Sequence, residues 1–308
     1  SQGGEGVDVQ ENEDGSVDIN FEPNKVNQPN TDSHFDNLAD LLPEDVLGEL
    51  GSDLYNNYMN YKSSRKEWED GYIKGLDLLG FKYEERTRPF RGASSVNHPM
   101  LAQAVTQFQA MAYVELLPSD GPVRTQVVGA NSPELQQSAE RVKDYMNYEI
   151  THVMEDYNPE MDQLLFQLPL SGSAFKKIYF DEVAGRATSK FIPAEDVIVP
   201  YGCSDLDDCE RITQVVKMTK NDLRKKQVSG FYMDINGEGY DAVNYSDLQE
   251  KKDEIDGESP GTYAVDDMSE LYELHVDLDL EGYEDINIKT GEPSGIKLPY
   301  IVTIERGS

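Results

Sequence analysis

The spacing of apolar residues changes once along this chain, from steps of three and four to steps of two. Leu47, Leu50, Leu54, Tyr58, Tyr61, Trp68, Tyr72, Leu76 and Leu79 keep the helical step, and Arg65 stands where an apolar residue is due. Such spacing lays a stripe along one side of a helix. Gly71 and Gly75 weaken the second half and predict a kink or break there. A further helix is predicted from Ser94 or Ser95, either of which can cap it, with Leu101, Val105, Phe108 and Ala112 on one face and Pro118 ending it. A short strand over 123–128 is expected next. Ser132, Pro133 and Glu134 then combine a capping hydroxyl, a proline at the first helical position and an acid in the first turn. Leu135, Ala139, Val142, Met146, Ile150, Val153 and Tyr157 continue that helix, and a shorter one is expected over about 159–168.

Beyond residue 170 the period is two. Stretches 174–180 and 188–192 read as a hairpin turning at Gly185, and 197–199, 212–218, 271–280 and 298–304 read as further strands. A short helix fits 220–227. The expected class is therefore α+β, with long N-terminal helices followed by a mostly antiparallel β part. The expected divisions are a disordered acidic arm (1–36), a helical region (37–170) and a β-rich region (171–308) interrupted by an acidic, glycine-rich loop (232–268). The sequence stops just after the last predicted strand, the pattern expected of one piece of a longer protein.

Charge sharpens these divisions. The 308 residues carry 59 acids against 27 bases, a net of −32. Residues 1–50 hold 13 acids and one base, Lys25; residues 51–100 hold 7 acids and 8 bases; residues 231–290 hold 18 acids and 3 bases. The first 36 residues have too little apolar surface to offset their ordering entropy. The overall sign repels polyanions and argues against a protein that grips nucleic acid. The 18 Tyr and 10 Phe, by contrast, suit a folded core. The two cysteines, Cys203 and Cys209, match no zinc spacing and are expected as free thiols in a reducing compartment. No apolar run approaches the ~18 residues of a membrane span, and the first residues do not read as a secretory leader. No membrane partner is expected.

The sequence offers no converging catalytic set, cofactor loop or metal site. There is no glycine-rich phosphate loop. Gly92-Ala93-Ser94-Ser95-Val96 begins like a nucleophile elbow but lacks its second glycine and a preceding apolar strand. His34, His98, His152 and His275 are scattered. The segment from Asp234 to Gly239 resembles the first half of a calcium loop, but its twelfth position is Tyr245 where a glutamate is required. Asp277, Asp279 and Glu281 alternate with Leu278 and Leu280, as on a solvated strand face. Lys82, Arg86, Arg88 and Arg91, with Phe81, Tyr83 and Phe90 between them, form a basic knot that also contains Glu84 and Glu85. Arginine forks suit an intersubunit or interdomain ion-pair site better than phosphate there. Arg86, Arg88 and Arg91 are the candidates for subunit contact, with Trp68, the single tryptophan, as a further candidate whose simpler reading is core packing.

Two long runs resemble one family. GASSVNHPMLAQAVTQFQAMAYVELLPSDGPVRTQVVG, residues 92–129, and SGSAFKKIYFDEVAGRATSKFIPAEDVIVPYGCSDLDDCERITQVVKMTKNDLRKKQVSGFY, residues 171–232, are similar in content and order to the N-terminal part of tailed-bacteriophage portal proteins. The likeness covers roughly residues 37–231. It implies a wing region of a dodecameric ring at one capsid vertex, the head-to-tail connector through which double-stranded DNA is packaged and ejected. It also implies a homo-oligomer, and as partners the major capsid protein, the terminase large subunit and a head–tail adaptor. The location implied is the virion, after assembly in the host cytoplasm. Family members are about twice this length, so the missing half would hold most of the stem and clip. Two other readings compete: an acidic metal-dependent hydrolase built on the carboxylates of 231–290, and an acidic DNA-mimic inhibitor. The hydrolase lacks a converging set of titratable groups, and the mimic lacks an evenly acidic domain. If the basic knot is an interface, charge reversal at Arg86, Arg88 and Arg91 together will weaken assembly more than folding, read as particle mass against thermal midpoint. Intact oligomers in the triple variant would remove the knot from the contact.

Overall fold

The computed structural model describes residues 8–11, 17–20, 37–79, 90, 98–129, 132–181, 185–234, 246–256, 268–287 and 289–305. Within the N-terminal arm, β1 (Asp8–Glu11) and β2 (Val17–Asn20) pair antiparallel. Among the described residues no third strand joins this hairpin, and a lone two-stranded pair is marginal in water.

Helix α1 (Glu44–Ser64) opens with Glu44 and Asp45, acids that suit the positive end of the helix dipole. Its apolar stripe turns Leu54 and Tyr58 into the core. The chain breaks at Arg65 (φ −96°, ψ 7°) and resumes as α2 (Lys66–Leu79). The expected break at Gly71 or Gly75 does not occur: both lie inside α2, whose Tyr72 and Leu76 are buried. Burial of those two side chains outweighs the ~1 kcal/mol that each helical glycine costs.

Helix α3 (Met100–Leu116) starts later than Ser94 or Ser95 predicts. Pro99 occupies its cap position, and the residue before a proline is kept out of the helical region, which excludes His98. The strand expected at 123–128 is also absent: this stretch has no ladder and lies along α4 (Pro133–Tyr148) instead. The Asn147 side-chain amide accepts from Val123 N–H (2.8 Å) and donates to Val123 C=O (3.2 Å), taking the place of a neighbouring strand. Ser132 caps α4 as expected, accepting from Leu135 N–H. The helix then loosens into a π-turn (Glu149–Val153) and stops, so the predicted stripe does not run unbroken to Tyr157. Helix α5 (Tyr157–Ser171) ends at Gly172, in the left-handed conformation usual for such a stop.

The period-two half behaves largely as read. Strands β3 (Ala174–Asp181) and β4 (Arg186–Pro193) form the hairpin. β5 (Val197–Ile198), β6 (Arg211–Thr219), β7 (Met268–Leu278) and β8 (Leu298–Glu305) form one antiparallel sheet in that order. Tyr272, Leu274 and Val276 alternate along β7 and pack with Ile198 against Leu54 and Tyr58 of α1. On the opposite face Gln214 and Glu273 sit side by side, and Lys177 of β3 binds both. The helical and strand-rich regions therefore share a core. The class is α+β.

Two corrections fall in this half. The acidic loop expected over 232–268 contains α7 (Asp247–Asp256), which follows α6 (Lys220–Val228). Its polar sequence hides the one residue that docks it, Leu248, which is buried against Tyr72 and Leu76 of α2. Cys203 and Cys209 are joined as a disulfide with Cα atoms 5.8 Å apart, so they are not free thiols. The β5–β6 pairing sets Val197 opposite Gln214 and Ile198 opposite Thr213. The two cysteines lie in the 199–210 connection between these strands, which turns at 201–202 and again at 207–208.

Gly121 is the position where backbone freedom matters most. Its φ is +96°, and a Cβ there would overlap the Asn147 amide that holds Val123. Gly121→Ala is expected to lower unfolding stability by roughly 2–3 kcal/mol. Gly129→Ala (φ +97°, open space around it) should cost only about 1 kcal/mol. Urea unfolding of the two variants checks the difference; equal losses would discount the Asn147 contact.

Candidate functional sites: the Arg65 cleft and two apolar helix faces

Arg65 is the charged residue inside the apolar stripe, and a charge at an inward position needs internal partners. Its guanidinium supplies them with the 194–197 turn. Nη1 donates to the carbonyls of Ala194 (3.1 Å) and Val197 (3.0 Å), Nη2 to that of Glu195 (2.5 Å), and Nε to the Glu69 carboxylate (2.9 Å). A small cleft opens beside this contact, where the α1–α2 break, the turn, β6, β7 and the start of α7 meet. Lys252 of α7 pairs with Glu195 across it, and Lys251 pairs with Asp77 of α2 (2.5 Å).

The carboxylates here are not equivalent. Burial, reinforced by the Glu195 charge, pushes the Asp196 carboxyl up to about 6, against the pull of Lys217, Lys252 and Arg65. Burial also raises the phenols of Tyr58 and Tyr72. Tyr72 donates to Gln167 (2.6 Å), and Tyr272 donates to the buried Glu270 (2.7 Å). Around the cleft Glu69, Glu195, Asp196 and Glu270 are interleaved with Lys62, Arg65 and Lys217. This arrangement fastens the turn to the helix break: three carbonyls of the turn are held by one cation. Across the sheet, the His275 ring and then the Lys177 ammonium hold Glu273 down at about 2 in spite of its burial.

Two helix faces have the opposite character. α3 is rich in apolar residues and carries a single charged residue, Glu115. Val105 faces inward, while Met100, Phe108, Met111 and Val114 are exposed on the other side. Exposure reaches 64% at Met111 and 69% at Val114. α4 is amphipathic but buries no residue. Its apolar stripe, Leu135, Val142 and Met146, stays open, with Leu135 49% and Val142 51% exposed.

The candidates read from sequence are dispersed. Trp68 packs within the chain: its ring stacks on Tyr72 (5.6 Å), lies under the Arg65 guanidinium (5.3 Å), and its Nε1–H donates to the Ser171 carbonyl (2.9 Å). Arg86, Arg88, Arg91 and the Gly92–Val96 stretch lie outside the described residues, as does His34. Of the calcium-loop resemblance only Asp234 is described, and it pairs with Arg224 (2.5 Å). Asp277, Asp279 and Glu281 are exposed, as a solvated strand face predicts. His98 is exposed, His152 stacks on Tyr148 (5.2 Å), and His275 contacts Glu273. Among the described residues, no group of three or more His, Cys, Asp or Glu side chains converges as a metal site. No helix among them is long and apolar enough to cross a membrane. The Arg65–turn contact was signalled in the sequence by a charge in an apolar stripe; Asp196 carried no signal, because its burial depends on residues brought from four elements.

No protein-family model matches the chain, and no curated protein matches it.

Asp196 provides a pH test. Its folded value lies above its unfolded one, near 3.8. The folded state therefore binds the proton more tightly, and the stability this confers is fully present below pH 3.8 and lost as pH rises through about 6. Asp196→Asn should stabilise the protein by about 1–2 kcal/mol at pH 7.5, after discounting for solvent reaching the half-buried carboxyl, and the gain should vanish near pH 4. Unfolding curves at the two pH values decide it; a pH-independent difference would mean that the charge is not the cause.

Proposed function

We propose that this chain is the wing part of a portal-type ring protein: a structural subunit of a tailed-phage capsid vertex that repeats around an axis through which double-stranded DNA passes. The observation that carries this reading lies within the residues that bear the family resemblance. α3 falls inside the 92–129 run, and it presents an apolar outer face that the chain leaves uncovered. Monomeric proteins seldom leave contiguous apolar surface of that kind open, and such surface marks a contact with another molecule.

Charge supports the same reading. Segment 100–148 holds 5 acids and 3 bases, nearly neutral within a chain of net −32. An acidic body repels the phosphates of a passing duplex within about one Debye length, ~8 Å at physiological salt. DNA then slides past without adhering, while the neutral helices are free to make subunit contacts. In this role the terminase motor, the capsid protein and the adaptor are separate partners, and the chain supplies scaffold.

The purified protein is expected to scatter light as a particle of many subunits and to appear as rings with a central hole in negative stain. It is expected to hydrolyse no ATP by itself. A strict monomer at micromolar concentration, or robust nucleotide hydrolysis, would overturn the reading.

A further inference from the structure

A ring closes only when each subunit offers two different patches, one to each neighbour; a single self-complementary patch stops at a pair. This chain carries two uncovered apolar helix faces that are unlike each other. The outer face of α3 is broad and neutral, and the Leu135–Val142–Met146 stripe of α4 is narrower and bordered by Glu134, Glu140, Arg141, Lys143 and Asp144. We infer that the outer face of α3 on one copy seats on the α4 stripe of the next, head to tail. This rests on the ring reading above and adds to it the two surfaces that meet.

Three observations select a second copy, in this pairing, as the occupant. The first is the makeup of α3. Large apolar side chains are normally turned inward, yet Met100, Phe108, Met111 and Val114 of α3 face out while Val105 alone is fully buried. The second is charge. Stacking α4 on α4 would bring three carboxylates of one helix against the same three of its copy, whereas α3 opposes them with no like charge except Glu115 at its far end. The third is size. The two helices have 17 and 16 residues, so each offers a ridge of about 25 Å. The exposed parts of their seven large apolar side chains amount to on the order of 700 Å². Interfaces are roughly 60% apolar, so that area corresponds to about 1,200 Å² in total, at the threshold of a specific, stable contact. Ala104 and Gln107, exposed between the larger side chains of α3, leave room for a neighbouring helix to approach.

The test uses the full chain and two double variants, Met111→Glu with Val114→Glu on α3 and Val142→Glu with Met146→Glu on α4. All four positions are exposed and glutamate is a good helix former, so helicity and thermal midpoint should stay close to the parent's. By light scattering the parent should be ring-sized and each variant alone monomeric. Mixed one to one, the variants should form dimers and nothing larger. One variant keeps an intact α4 stripe and the other an intact α3 face, so one contact survives per pair and cannot propagate. Should either double variant unfold, Met111→Gln and Val142→Gln replace them, each expected to weaken self-association at least tenfold. A ring-sized particle from either variant overturns the pairing and leaves the ring reading standing. So does a dimer formed by one variant alone, or a mixture that stays monomeric. A monomeric parent overturns both.

Discussion

One guanidinium joins the two halves of this protein. Arg65 interrupts the long apolar stripe and takes up three carbonyls of the 194–197 turn, at 2.5 to 3.1 Å. Everything nearby depends on that contact. It ends α1 where Leu54 and Tyr58 have already met the sheet, and it starts α2 in the direction that buries Tyr72 and Leu76 against α7. It also fixes the turn leading into β5, the strand that brings Ile198 into the same core. An arginine is suited to this because its donors are planar and rigidly spaced, and because it stays charged at any relevant pH. A lysine, a single point charge on a flexible stem, would not span the three carbonyls together.

The second constraint is charge. With 59 acids and 27 bases, cations are scarce, and several of the described ones are placed where two elements must be joined. Lys252 ties α7 to the turn, Lys251 ties it to α2, Lys177 ties the β3–β4 hairpin to the sheet, and Arg186 ties β4 to Val153 and Asp156 ahead of α5. Each is at least half withdrawn from water, where an ion pair is less screened than on the surface. The raised Asp196 carboxyl is the counterpart. Burial first, and then the neighbouring Glu195 charge, makes this carboxyl hold its proton more tightly in spite of three nearby cations.

Most of the fold was legible because its signals are local. Period-two alternation located β3, β4, β6, β7 and β8 to within a few residues, and Ser132-Pro133-Glu134 placed the start of α4. The misses share a cause: they depend on partners distant in sequence. α7 holds by one leucine and two lysines against α2 and the turn. The 123–128 stretch looked like a strand, but its hydrogen bonds go to one asparagine side chain on α4. The cysteines looked unpaired because the turns of the 199–210 connection, which bring them together, leave no periodic signal. Tyr72 and Leu76 carried the helix through two glycines that propensity alone would have used to break it. Of the candidate sites, the carboxylates of Asp277, Asp279 and Glu281 at the end of β7 and just beyond it were legible as solvent-facing, while the cleft and the open helix faces emerged only from tertiary packing.

The acidity and the bare helices are best understood together. Two copies of a chain with this charge repel each other. Association in such a protein must therefore rely on surface that carries no charge and gains from leaving water, at about 25 cal/mol per Å². Helices α3 and α4 offer surface of that kind, within a segment, 100–148, that is nearly neutral. If the apolar faces were merely misplaced core, they would be expected to turn inward, since α5 and the 123–128 stretch already lie beside them. They do not turn: Val105 on one helix and the Asn147 amide on the other fix which side faces in. The outward direction of Met111, Val114 and Val142 is thus a consequence of specific inward contacts, and it leaves the least charged surface of the molecule available to a neighbour.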